Sequence, residues 1–468
     1  MFKNLSTKCC HTLIAFTLFA GLSAVDASAT DAKQVALNVG VSNPMMLAGD
    51  KQTNYVRIAL TGFNLPKTEQ RPPVNVAIVI DTSGSMGGTK INQARKAAIA
   101  AVNRLQDDDI ISVVLYSSSV QVLVPATKAT DRAQIIHKIK SVKAGGSTAL
   151  FAGVSKGAAE VRKFRNDEYV NRVILLSDGL ANIGPKSPRE LERLGGTLVK
   201  EGISVSTMGL GLGYNEDLMS KLAVAGSGNH VFVEAAEDLI AVFNREFNNL
   251  MSVVASDFEI IAKVPEGVRP VRVVGTKADF SGREVSIPLA QLYAKQERYF
   301  IVEVEVDKSE TGESRSLADV SIQYTNMISD TKDKLSSNVS VNFTDDPKLV
   351  EKNTDFVTYA SCCVQLANER NCRATELRDA GQIEEARLLL LTNDKELKVA
   401  AFRCASNGSS SVVPELKRNA ALNYEQASEI GDEKLWAGNR KAMRAEQAGN
   451  SAQQTYSTSP SRGGRRGR

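Results

Sequence analysis

Val74-Asn75-Val76-Ala77-Ile78-Val79-Ile80-Asp81-Thr82-Ser83-Gly84-Ser85-Met86 is the stretch on which the reading of this chain turns. The apolar run up to Ile80 has the length and β-branched content of a strand buried on both faces. It stops on an aspartate and two alternate serines, so one carboxylate and two hydroxyls stand at the strand's carboxyl end. Such hard oxygen donors suit a small hard cation such as Mg²⁺ and leave a position for an oxygen from elsewhere. The plainer reading is helix capping, a common use of Asp and Ser at such positions. Two further stretches weigh against it. Gly145-Gly146-Ser147-Thr148-Ala149-Leu150 is a glycine-rich turn that delivers the Thr148 hydroxyl at the start of a helical pattern. Val173-Ile174-Leu175-Leu176-Ser177-Asp178-Gly179 is a second apolar strand ending on an aspartate. Any one of these reads best as a cap; the three together favour a metal.

Working outward, residues 74–250 alternate short apolar runs with helical patterns. Val74–Ile80, Ile110–Tyr116, Val120–Val124, Val173–Leu176, Ile203–Met208 and His230–Val233 read as buried parallel strands. Ile91, Ala94, Ala98, Val102 and Leu105 mark one helix face, and Ser187-Pro188-Arg189-Glu190 reads as an N-cap, a first-turn proline and a capping-box glutamate. This alternation predicts a doubly wound sheet with helices on both faces, whose ligands bind beyond the carboxyl ends of the strands.

Asp81-x-Ser83-x-Ser85, then Thr148, then Asp178-Gly179, resemble the metal-ion-dependent adhesion site of the von Willebrand factor type A domain. Asn171-Arg172, the run Asp178-Gly179-Leu180-Ala181-Asn182-Ile183-Gly184 and the later Gly209-Leu210-Gly211-Leu212-Gly213 narrow the likeness. They resemble bacterial members of that family similar to calcium-activated chloride channel regulators and inter-α-trypsin-inhibitor heavy chains. The resemblance implies a Rossmann-like α/β fold and a metal held by Ser83 and Ser85 directly. It implies that Thr148, Asp81 and Asp178 bind the same ion directly or through water. Mg²⁺ is the expected ion, with Mn²⁺ and Ca²⁺ as alternatives, and a partner protein's Glu or Asp carboxylate completes the coordination. Where some integrin-type domains carry an acidic pair, this chain reads Met86-Gly87-Gly88, so no second cation is expected beside the first.

The flanks have a different texture. Alternating residues at 35–62 and regular short strands at 252–345 read as one antiparallel β-sandwich into which the α/β domain is inserted. From Pro347 the pattern turns helical, with one helical hairpin around 374–389. The domains read as a leader at 1–29, N-terminal sandwich strands at 30–70, the α/β domain at 71–251 and the rest of the sandwich at 252–346. A helical region follows at 347–450 and a disordered Arg/Gly tail at 451–468.

Lys3, Lys8, the apolar Leu13 to Leu22 and Ala27-Ser28-Ala29 have the form of a secretory signal peptide, too short to span a bilayer. The mature chain is expected to be exported to the periplasm or cell envelope, with secretion as the alternative, and no later segment reads as a membrane span. Cys362, Cys363, Cys372 and Cys404 are then expected to form two disulfides. The net charge of +4 divides into +1 in residues 1–29 and +4 in the tail, leaving −1 for the body. Nucleic acid is therefore not an expected partner, whereas the basic tail allows peripheral contact with an anionic membrane.

Enzyme signatures are missing. There is no HExxH, no phosphate-binding G-x-x-x-x-G-K-[ST], and Tyr214 stands where a dinucleotide fingerprint needs its third glycine. Asp107-Asp108-Asp109 reads as a solvated turn. The leading expectation is an exported, metal-dependent adhesion or scaffold protein and not an enzyme. Regulation of an envelope ion channel or transport complex is the alternative, and metal-dependent hydrolysis ranks below both.

Overall fold

The computed structural model describes residues 34–65 and 71–456. The expected leader and the tail beyond Tyr456 lie outside the described residues. Three strands open the chain: β1 (Ala36–Val41), β2 (Met45–Leu47) and β3 (Gln52–Thr61). The alternating segment begins with β4 (Val74–Asp81), α1 (Thr89–Val102), β5 (Ile110–Tyr116), β6 (Val120–Lys128), α2 (Arg132–Lys140) and α3 (Leu150–Arg162). It continues with β7 (Val170–Ser177), α4 (Pro188–Lys200), β8 (Ser204–Leu210), α5 (Glu216–Ala225), β9 (Ser227–Val233) and α6 (Leu239–Leu250). Then come β10 (Val253–Lys263), β11 (Val268–Val274), β12 (Asp279–Ser281), β13 (Glu284–Tyr293), β14 (Gln296–Val306), β15 (Ser314–Asn326) and β16 (Thr331–Thr344). Helices α7 (Pro347–Lys352), α8 (Phe356–Asp379), α9 (Ile383–Ser406), α10 (Val413–Glu429) and α11 (Trp436–Ser451) follow, and β17 (Gln454–Tyr456) ends the described chain.

The alternating segment forms a six-stranded sheet in the order β6-β5-β4-β7-β8-β9. Every residue of β4, β5, β7 and β8 is buried, which is why their central residues are mostly apolar and the polar ones among them, such as Asn75, Arg172 and Ser206, are hydrogen-bonded. Along β4, Val74, Val76, Ile78 and Ile80 pack with α1, α2 and α6, while Ala77 and Val79 pack with α3, α4 and α5. Each buried Val or Ile contributes about 1.5–3 kcal/mol. The capping box at Ser187 is formed as its sequence implies, the hydroxyl accepting from the Glu190 N–H. One strand departs from expectation: β6 runs antiparallel to β5, along the edge. Only Ser117, Ser118 and Ser119 separate the two strands, far too short a link for a parallel crossover.

The strands on either side of this segment form one sandwich. Its first sheet runs β1-β3-β14-β11 and its second β12-β13-β10-β15-β16-β2. β3 lies along β14 from Thr61↔Glu297 to Gln52↔Val306, and β2 pairs with β16. Val56, Ile58 and Leu60 share a core with Ile260, Ile287, Val302 and Ile322. The α/β segment is thus inserted between sandwich strands, and Arg172 ties the two together. This fully buried guanidinium at the start of β7 donates to Glu246 of α6 and to Gln291 and Tyr293 of β13.

Two expectations for the C-terminal region are corrected. The four cysteines expected to form two bridges are free thiols. Cys362, Cys363 and Cys372 share α8, and only Cys404 lies on α9. Adjacent helical residues point about 100° apart, and residues nine or ten apart are about 14–15 Å apart along the axis. A bridge tolerates no more than about 7 Å between Cα atoms. Whichever cysteine Cys404 met, the remaining two could not join, so the helix excludes a pair of disulfides. The tail also begins later than expected. Ser451 closes α11, and β17 pairs with β14 at Gln296↔Tyr456 and Arg298↔Gln454. β11 reaches only Ile301 along β14, and β17 pairs the backbone that remains.

Candidate metal centre

The strand order reverses at β4, with β5 on one side and β7 on the other, so the crevice of this sheet opens at their carboxyl ends. Asp81 ends β4, and Asp178 follows the last residue of β7. Thr148 arrives from the turn before α3. That helix comes close to the sheet because residue 157 is glycine; a Cβ there would lie 2.5 Å from a Val79 methyl carbon. The loops are stitched by backbone bonds: Gly84 N–H donates to Gly146 O (2.9 Å) and Gly145 N–H to Thr82 O (2.6 Å). The Asn182 side chain accepts from Thr148 N–H at 2.8 Å, and the Asn182 backbone N–H donates back to Thr148 O at 3.1 Å.

The structure brings together all five residues singled out in the sequence. Ser83 and Ser85 hydroxyl oxygens are 3.1 Å apart, and Ser85 Oγ donates to Asp178 Oδ1 at 2.8 Å. Asp81 accepts from Ser83 N–H at 2.8 Å and from Ser177 Oγ at 2.7 Å. Its carboxyl is pushed above the usual range, chiefly by burial, with the Asp178 charge adding to the effect. The point of convergence is Gly179. A Cβ built there would lie 3.1 Å from Thr148 Oγ1, 3.4 Å from Ser85 Oγ and 3.6 Å from Ser83 Oγ. Asp81, Ser83, Thr148 and Asp178 are buried, while Ser85 faces solvent.

A divalent cation fits this donor set. In an octahedron with metal–oxygen distances of about 2.1 Å, neighbouring ligands stand about 3.0 Å apart, close to the Ser83–Ser85 spacing. Two buried carboxylates supply the compensating charge. Among the described residues no group of three or more His, Cys, Asp and Glu is placed to hold a metal, so a cation held here needs the hydroxyls.

Sequence reasoning missed three members of the site. Ser177 orients Asp81, and Asn182 fixes Thr148. Lys90, in the first turn of α1, places its ammonium 2.5 Å from Asp178 Oδ2. A signal for Lys90 was present, because a cation in a helix's first turn opposes the macrodipole, and such a local conflict marks a side chain held for another reason. Gly213 lies in the strand-to-helix turn between β8 and α5, and a Cβ there would come 2.7 Å from Asp178 O. Asp109, expected to be solvated, is fully buried at the far end of the sheet. It accepts from the Arg71 guanidinium at 2.5 and 2.9 Å and from the N–H groups of Val74 and Gln106, so it closes the loop entering β4.

Comparison with known proteins agrees with this geometry. The family model of the von Willebrand factor type A domain matches residues 75–245. An uncharacterized protein of Synechocystis sp. is 25% identical over 279 residues, 56% of this chain and 66% of the relative. Inter-alpha-trypsin inhibitor heavy chain H3 of Rattus norvegicus is 28% identical over 166 residues, 33% of this chain and 18% of the relative. The chain thus spans at most 66% of the length of either of these curated relatives. A solved von Willebrand factor type A structure from Catenulispora acidiphila superposes with a TM-score of 0.64, covering 83% of this chain and 90% of that chain. At 17% identity that match speaks for the fold alone. Residues 75–245 are therefore a von Willebrand factor type A domain, set into a β-sandwich and followed by a helical region.

Proposed function

We propose that this chain is a metal-dependent protein-binding protein whose site takes a Glu or Asp carboxylate of its partner. The observation that carries this reading is the meeting of three hydroxyls at Gly179, with the buried carboxylates of Asp81 and Asp178 hydrogen-bonded to Ser83 N–H and Ser85 Oγ. Ser83, Ser85 and Thr148 would hold the ion with Asp81 and Asp178, and Mg²⁺ is the proposed ion because the donors are hard oxygens. A bound ion would supply an open position for a carboxylate oxygen. The protein's own part is to hold the donors rigidly, through Ser177 on Asp81 and Asn182 on Thr148.

Binding is favoured over catalysis because both carboxylates are already engaged as acceptors, so neither stands ready as a general base. The surroundings describe the partner. Leu180, Ile183 and Leu212 are 60%, 38% and 58% exposed on the loops after β7 and β8. Asn182 anchors the first of these loops, and Gly213 packs the second against the Asp178 carbonyl. The partner surface is accordingly one with an acidic residue bordered by apolar side chains. Export to the periplasm or envelope is part of the proposal and rests on the leader-like residues 1–29. Among the described residues no helix is long and apolar enough to cross a membrane.

The test is calorimetric titration with Mg²⁺ of wild type and Ser83→Ala, followed by cross-linked pull-down from envelope extract with Mg²⁺ or with chelator. Saturable Mg²⁺ binding by wild type alone, with a partner retained only under that condition, is the expected result. Identical behaviour of the two proteins in both experiments would move the working surface away from this site.

A further inference from the structure

We propose that Lys90 is a tethered counter-cation of the Asp81–Asp178 pair, weakening divalent-ion binding and leaving the loaded site positively charged toward an incoming carboxylate. The inference rests on the metal-binding reading above.

The geometry points to this role in three ways. Asp178 is fully buried, and its outer oxygen accepts from the Lys90 ammonium at 2.5 Å while its other oxygen accepts from Ser85. The Lys90 side chain is 33% exposed, so it can leave Asp178 for solvent without unfolding anything. Held in the first turn of α1, the ammonium also gains nothing from the helix macrodipole, and the carboxylate is what keeps it there.

Counting charge shows the consequence. Two carboxylates and one ammonium give −1 without a metal, +1 with a divalent ion, and zero once a partner carboxylate arrives. Without Lys90 the same states carry −2, zero and −1. The lysine therefore opposes the metal and favours the carboxylate, so the loaded site attracts its acidic partner instead of merely tolerating it.

The experiment is calorimetric titration of the full chain and its Lys90→Met and Lys90→Arg variants with Mg²⁺, repeated with Mn²⁺. Lys90→Met should bind both ions at least tenfold more tightly than wild type, and Lys90→Arg should stay within threefold of wild type. Acetate is the probe for the second half: its displacement of Mn²⁺-bound water, read by water-proton relaxation, should need at least threefold more acetate in Lys90→Met. Equal or weaker metal binding by Lys90→Met overturns the role of Lys90 and leaves the metal site standing. No ion binding by wild type or variants overturns the metal reading itself, and this inference with it. If Lys90→Met fails to fold, Lys90→Gln carries the same comparison.

Discussion

Gly179→Ala tests the site at the point where its donors meet. The new methyl carbon would stand 3.1 Å from Thr148 Oγ1, 3.4 Å from Ser85 Oγ and 3.6 Å from Ser83 Oγ. Gly179 does not occupy the left-handed region that favours glycine, so alanine meets no backbone strain. Only the contact with Thr148 is tighter than ordinary packing, and that oxygen must yield by a few tenths of an ångström. The structural cost should fall at the low end of overpacking, about 1 kcal/mol. Over a domain of this size that amounts to a drop of about 2–4 °C in melting temperature. The effect on the ion should be larger. An ion coordinated at about 2.1 Å by those hydroxyls would have the methyl pressed against it. We expect at least a tenfold loss of Mg²⁺ affinity, about 1.4 kcal/mol, while the metal-free protein stays folded. Calorimetry and a metal-free thermal scan read the two quantities separately. Wild-type affinity in Gly179→Ala would refute the placement of the ion, and loss of the fold would refute the mildness of the contact.

Other parts of the molecule carry their own tests. Arg172→Met should destabilise the chain by about 3–5 kcal/mol in urea, because buried Glu246 loses its partner; a cost under 1 kcal/mol would mean that the Arg172 network does not hold the two domains together. Burial, with nearby Lys441, pushes the His230 imidazole from 6.5 down to about 3. The unfolded chain then takes up the proton first, so His230's contribution is whole above pH 6.5 and shrinks by about 1.4 kcal/mol per pH unit as the pH falls below it. His230→Gln should remove that slope between pH 6.5 and 5, and parallel curves for wild type and variant would contradict it. Burial also pushes the Cys363 and Cys372 thiols up to about 11 and Cys362 well above its ordinary value. Alkylation in urea without reductant, mapped by mass spectrometry, should label Cys362, Cys363, Cys372 and Cys404 completely; an unlabelled pair would restore a disulfide.

Much of this protein could be read locally. Apolar runs of strand length gave the central sheet, and Ser187-Pro188-x-Glu190 gave the start of α4, because burial on both faces and capping leave their marks within a few residues. Asp81, Ser83, Ser85, Thr148 and Asp178 could be picked out because hydroxyl and carboxylate oxygens at strand ends are chemically distinctive wherever they stand in the chain. The direction of β6 was also available, from a link of three residues that the apolar pattern of the strand overshadowed.

Sequence by itself therefore determined the α/β class, the presence of a sandwich and the donor set of the site, all properties of short segments and their order. Only the tertiary structure decided which side chains meet. Lys90 lies 88 residues from Asp178, Arg172 lies 119 from Gln291, and β3 finds β14 across the whole inserted domain. The cysteines remain apart because one helix carries three of them. Periodicity encodes which face of an element is buried, but not the crossing geometry that brings two faces into contact. That geometry turned a first-turn lysine into the neighbour of a buried aspartate.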